Sequence, residues 1–176
     1  MSAQRIARIS ILSALAVSLR FAFGAFPNVK PITALFLVLM GTLGWVDSLL
    51  VMAVTMLVTG IYMGFGVIVL WQIVSFAVAM LVWGLLVSPF FQMGTKTSSL
   101  RQTSYSQMAL PVCLQAVAAG GACLLYGWVI ALLSSWQFQL SVVPYWLNGL
   151  IFDAAHALST FLFYPIIYFL SRRWIR

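Results

Sequence analysis

Six apolar segments in one chain leave room for little besides a bundle of membrane helices. They run roughly over 4–25, 32–46, 47–61, 66–89, 104–134 and 146–171. A helix needs ~20 apolar residues to cross the hydrocarbon core of a bilayer, and apolar stretches of that order recur to the end of the chain. Composition closes the alternative of a very apolar soluble core. Only 6% of the residues are charged and 64% are hydrophobic, against about 25% charged in soluble domains. No aqueous surface can be covered from that stock. The expected fold is an all-α integral membrane protein, a six-transmembrane-helix bundle forming a single domain over residues 1–176.

The cations set the expected orientation. With six spans, both termini share a side with the 90–103 connection. That side collects Arg5, Arg8, Lys96, Arg101, Arg172, Arg173 and Arg176. Cytoplasmic loops carry an excess of Lys and Arg, so both termini are expected inside. Lys30, and Arg20 near the end of the first helix, fall toward the opposite side. A net charge of +7 is thus a topology signal rather than a nucleic-acid footprint, and no nucleic-acid partner is expected. Arg5 and Arg8 before an apolar run resemble the start of a signal peptide. The run lacks a small-x-small cleavage site, and it is read as the first membrane helix.

Several chemistries find no support. No phosphate-binding Gly-x-x-x-x-Gly-Lys-Ser/Thr loop occurs, so the chain cannot couple ATP hydrolysis to transport by itself. Cys113 and Cys123 stand ten residues apart on one expected helix, ~15 Å along its axis. That is too far for a disulfide, and both are read as packing residues. No metal-ligand spacing is present, so no metal or cofactor is expected. The two acids are Asp47 and Asp153, and His156 is the single histidine.

The polar residues cluster toward the expected outer face. In Phe26-Pro27-Asn28-Val29-Lys30-Pro31 two prolines fix φ and bias Phe26 and Lys30 away from helix, presenting Asn28 and Lys30 on a stiff loop. Two further outward elements are expected. One is the Gly-rich turn at 60–66 with Tyr62. The other is the aromatic and amide-rich 134–146 segment with Gln137, Gln139, Tyr145 and Trp146. Trp71 and Gln72 open the fourth segment on the same face. Asp153 and His156 are spaced i, i+3 and are expected to share a helix face with Gly149 and Thr160. Two readings of that face stand: the polar wall of a ligand cavity, or a buried Asp–His pair tying the bundle together. Catalysis by the pair lacks a third group and an oxyanion stabiliser, so the chain is not expected to be an enzyme. Ser10, Ala14 and Ser18 recur at i, i+4, i+8 on the first helix, a stripe that permits close helix approach. It suits either docking to another membrane subunit or packing within the chain. Ala116 and Gly120 form a similar pair, expected to be internal.

Three stretches carry a resemblance. Residues 26–34 read Phe-Pro-Asn-Val-Lys-Pro-Ile-Thr-Ala; Trp71-Gln72 follows; residues 147–157 read Leu-Asn-Gly-Leu-Ile-Phe-Asp-Ala-Ala-His-Ala. Together with helix number and order, they resemble the S-components, the substrate-binding membrane subunits of energy-coupling factor (ECF) vitamin transporters. Within these the chain looks most like the cobalamin-type subunits of lactobacilli. Relatives often carry Gly-x-Gly-Pro-Trp-x-Pro-Trp-Gln before the fourth helix. Here the stretch 64–72 reads Gly-Phe-Gly-Val-Ile-Val-Leu-Trp-Gln, keeping only the last pair.

The resemblance implies a bacterial cell-membrane protein that binds a vitamin near the outer face, cobalamin or a related corrinoid first. It also implies a transmembrane coupling subunit and two cytoplasmic ATPases as partners, with the S-component toppling in the bilayer to deliver its ligand. Cobalamin would then be cargo rather than cofactor. Asn28, Lys30, Tyr62, Trp71, Gln72, Tyr145, Trp146, Asn148, Asp153 and His156 are the expected ligand-facing residues, and Ser10, Ala14 and Ser18 the docking stripe. Two alternatives remain open: the same fold with another micronutrient such as pantothenate or a modified-base precursor, and a small intramembrane enzyme using Asp153 and His156.

Overall fold

The computed structural model describes residues 2–87 and 105–174, and the side chains of 2–85 and 111–172. The 90–103 connection with Lys96 and Arg101, the Arg173 side chain and Arg176 lie outside the described residues. Within them the chain is helical and forms no strand. The helices are α1 (Ala3–Ala22), α2 (Ile32–Leu43), α3 (Trp45–Met63), α4 (Val67–Val82, continued by a wider π turn over Trp83–Val87), α5 (Tyr105–Phe138) and α6 (Val142–Trp174). Four stretches are long and apolar enough to cross a membrane: Trp45–Met63, Val67–Leu85, Pro111–Phe138 and Val142–Arg172.

Side-chain contacts fix the direction of each helix. Arg5 and Arg8 reach Asp47 at one end of α1 and α3, and Phe21 meets Tyr62 at the other, so these two run parallel. Phe36 packs on Phe76 and Met40 approaches Gly84, setting α2 parallel to α4. Phe76 meets His156 and Trp83 meets Tyr164, which sets α4 parallel to α6. Between α5 and α6 the pairs Gln115–Tyr164, Cys123–Thr160 and Gly127–Asp153 run in opposite order, so the two are antiparallel. Odd helices therefore point one way and even helices the other.

The short α2 is the centre of the bundle. All nine residues from Ile32 to Met40 are buried, and at 12 residues the helix reaches ~18 Å, less than the hydrocarbon thickness. The other helices surround it and expose Ile11, Leu57, Leu70, Val117 and Ile151 outward. In so weakly charged a chain this apolar exterior is compatible with a lipid-facing surface, where helices satisfy every backbone group internally. Gly44 alone joins α2 to α3, with φ at 83°. That left-handed conformation is open to glycine at little steric cost.

Asp47 organises the end opposite the stiff loop. Arg5 Nε donates to Oδ1 at 2.6 Å and Arg8 Nη2 to Oδ2 at 2.8 Å, tying α1 to the first turn of α3. Arg5 adds a second nitrogen at 2.5 Å. Asp47→Asn is expected to lower the melting temperature in detergent more than Arg5→Ala, and Arg5→Ala more than Arg8→Ala. The ranking follows because either arginine alone still leaves the carboxylate paired; equal melting temperatures for all three would remove the clamp.

Two expectations about connections change. The 60–66 turn shrinks to 64–66, with Tyr62 still on α3, and the 134–146 loop shrinks to 139–141. Helix α5 persists through Phe138, and α6 starts at Val142 with Pro144 in its first turn, where a missing N–H costs nothing. Cys113 is exposed, so only Cys123 is a packing residue; it donates to Thr160 Oγ1 at 3.0 Å. Ala116 is fully buried and Gly120 lies against the Ala157 carbonyl, so that small pair is internal.

Candidate functional site

The stiff loop is stapled to α6 rather than left free. Asn28 sits at φ 57°, a left-handed conformation that asparagine tolerates better than other side-chain-bearing residues. From there its Nδ2 donates to the Phe152 carbonyl at 3.1 Å. Ser159 Oγ donates to the Lys30 carbonyl at 3.3 Å. In the first turn of α2, a 2.6 Å hydrogen bond joins Thr33 Oγ1 to His156 Nε2, with both residues buried. Anchoring thus falls to the Asn28 side chain and the Lys30 backbone, which leaves the Lys30 ammonium to face inward.

Asn28→Ala loses this bond and places a methyl side chain at positive φ. The bond is worth about 1 kcal/mol and the conformation another ~1–2 kcal/mol. Asn28→Gly loses only the bond, so its melting temperature is expected to lie between wild type and Asn28→Ala. The reverse order would show that the loop conformation differs.

Four of the expected residues meet in one pocket. Asn28, Lys30, Gln72 and His156, from the loop, α4 and α6, line a cavity of about 40 Å³. Arg20 from α1 and Tyr126 from α5 complete its polar lining, and Ile32, Met56 and Phe76 its apolar side. Arg20 is 8% exposed. It contacts Met56 Sδ through Nη1 and donates to Gln72 Oε1 through Nη2 at 3.2 Å. Burial, and secondarily the Arg20 charge, push the Lys30 ammonium below its ordinary pKa. The His156 ring packs edge-on to Tyr126 and Phe76, at 5.4 and 6.3 Å between centroids.

A second cavity of about 180 Å³ takes three others. Tyr145, Trp146 and Asp153 line it with Gly149, Ser134 and Ile68. Asp153 and His156 therefore do not form a pair, which corrects the shared-face expectation. Three residues on a helix turn the direction by ~60°, enough to aim the histidine at α2 and α4 and the aspartate at α5. There the Asp153 carboxyl group sits directly over the Gly127 Cα, in the space a side chain would occupy. Of the remaining stripe, Gly149 goes with Asp153, while Thr160 is buried against Cys123.

The other expected residues line neither cavity. Trp71 Nε1 donates to Gln137 Oε1 at 2.5 Å, and its ring meets Trp136 edge-on, fastening α4 to the end of α5. Tyr62 is exposed and packs on Phe21, and Asn148 is exposed. Ser10, Ala14 and Ser18 lie on the exposed side of α1, while Ile9, Ser13, Ala16 and Arg20 face the bundle. Internal packing therefore does not account for the small-residue stripe.

The charge pattern marks Arg20 only as a topology signal, whereas in the fold it lines the pocket. Its signal was the i, i+4, i+7, i+11 spacing from Ile9, which puts it on the buried stripe. Tyr126 and Gly127 carried no signal within a long apolar helix. No protein-family model, curated protein or solved structure matches this chain.

Proposed function

We propose that the chain is a substrate-binding membrane subunit of the ECF vitamin-transporter type. Its six helices would sit across a bacterial cell membrane with both termini cytoplasmic, and it would take its ligand at the end bearing the 24–31 loop. One observation carries this reading. Asn28 and Lys30 of the loop converge with the sequence-distant Gln72 and His156 on one polar cavity. A buried polar cavity inside membrane helices is costly and is expected where a solute binds.

In this reading ATP hydrolysis belongs to two partner ATPases, and a transmembrane coupling subunit docks on the open face of α1. That face presents Ser10, Ala14 and Ser18 beside exposed Ile11 and Leu15, a surface suited to close helix approach. Affinity purification from native membranes tests the class: a coupling subunit and two ATPases should accompany the chain. Ala14→Leu is expected to reduce their recovery severalfold while leaving ligand retention intact. Full recovery with Ala14→Leu would move the docking face elsewhere.

Cobalamin or a related corrinoid is the first cargo to test, by colour and calorimetry of the purified chain. Volume supports a second cargo class. Ligand pockets for small molecules run to ~300–1,000 Å³, whereas these cavities hold about 40 and 180 Å³. A corrinoid requires the loop and helix ends to part, while a smaller micronutrient such as pantothenate or a modified-base precursor requires less opening. Competition of uptake by unlabelled vitamins separates the two.

A further inference from the structure

The chain contains two acidic residues, and neither lines the pocket that holds Arg20 and Lys30. Asp47 is engaged by Arg5 and Arg8 at the opposite end of α1. Asp153 lines the other cavity and rests against Gly127. Among the described residues, then, no carboxylate pairs with Arg20 or Lys30.

Arg20 is the more exacting of the two. A guanidinium keeps its charge at all relevant pH and carries five N–H donors. Here, at 8% exposure, it has a thioether and one amide oxygen as partners, and its buried Nε has none. Neutral, weak acceptors do not compensate a charge removed from water. The Lys30 ammonium borders the same small space, so each cation raises the cost of the other. Asn28 and Gln72 add amide groups to the rim. Such an arrangement is stable with an anion between the cations and strained without one.

We propose that this pocket receives the acidic group of the ligand, a carboxylate or a phosphate, held between the Arg20 guanidinium and the Lys30 ammonium. A cavity of about 40 Å³ admits such a terminal group and not the body of a vitamin. The inference rests on reading this end of the bundle as the ligand end. Among the cargoes considered, it selects one with a terminal acid, such as the carboxylate of pantothenate, over neutral base precursors and over a corrinoid, whose phosphodiester is substituted on both sides.

The test uses the full chain in lipid nanodiscs, with binding read by calorimetry and thermal shift. Matched probes isolate the acidic group: pantothenate against its neutral alcohol panthenol, and inorganic phosphate against chloride at equal ionic strength. In at least one pair the member bearing the carboxylate or phosphate is expected to bind tenfold or more tightly. Lys30→Gln and Arg20→Gln should each remove that preference. Lys30 lies in the loop, so its variant carries the test if Arg20→Gln does not fold.

Saturable phosphate stabilisation lost in the variants, with no vitamin bound, would uphold the anion pocket and count against the vitamin reading alone. Equal binding of charged and neutral partners, a preference that survives both substitutions, or no binding by any anionic probe would overturn the proposal.

Discussion

Gly127→Ala is expected to lower the melting temperature of the purified chain by ~2–10 °C, corresponding to ~1–3 kcal/mol of overpacking. A Cβ at this position would fall within contact distance of Oδ1, Cγ and Oδ2 of Asp153 at once. Asp153 is 8% exposed, and its carboxyl group has one direction of retreat, into the adjoining 180 Å³ cavity. Alanine is therefore expected to move the carboxyl group and shrink that cavity rather than break α5. A leucine is too large for that escape. It must part α5 from α6, whose contacts are the most extensive in the bundle, and no monodisperse protein is expected from it.

A double-mutant cycle makes the argument specific. Removing the carboxyl group in Asp153→Ala relieves the clash, so the two substitutions should couple by ~0.5–3 kcal/mol. Additive effects, or a Gly127→Ala protein that melts with wild type, would show that the two groups do not meet.

Where the sequence carries strong punctuation, the helix ends were legible to within a few residues. Pro27 and Pro31 bracket the loop before α2, Gly44 separates α2 from α3, and Gly64 and Gly66 bracket the break before α4. The α5–α6 junction lacks such a signal. Ser134, Ser135 and the aromatic and amide residues after them have the composition of a loop, yet helix continues to Phe138 and reverses within three residues around Gln139, at φ 55°. Local composition lost there to packing, because Trp136 and Gln137 are held by Trp71 on the neighbouring helix.

The site was legible in a similarly uneven way. Asn28, Lys30 and Gln72 stand in a loop or near a helix start on one side of the expected topology, so their convergence followed from connectivity, whereas His156 lies well inside α6. Which neighbour each helix face meets is a tertiary property, and sequence spacing does not contain it. Asp153 and His156 parted company for that reason. Arg20 gained its importance only when the acids proved to be elsewhere.

His156→Ala is expected to cost ~3–5 kcal/mol, the range for emptying a buried aromatic-sized site. The ring is 5% exposed, packs edge-on against the adjoining Tyr126 and Phe76 rings, and shares a 2.6 Å hydrogen bond with the buried Thr33 hydroxyl. Two further variants separate these contributions. His156→Phe keeps the volume but strands Thr33, costing ~1–3 kcal/mol, whereas His156→Asn keeps a polar partner and gives up ring packing. Both should melt between wild type and His156→Ala. The same series distinguishes binding from catalysis. Thr33 occupies Nε2, so the ring offers the pocket its other nitrogen and its edge, a contact that helps a ligand without being indispensable. Ligand affinity should therefore fall in steps across Asn, Phe and Ala. An all-or-none loss of a chemical turnover, with the fold retained in His156→Asn, would instead favour the intramembrane enzyme.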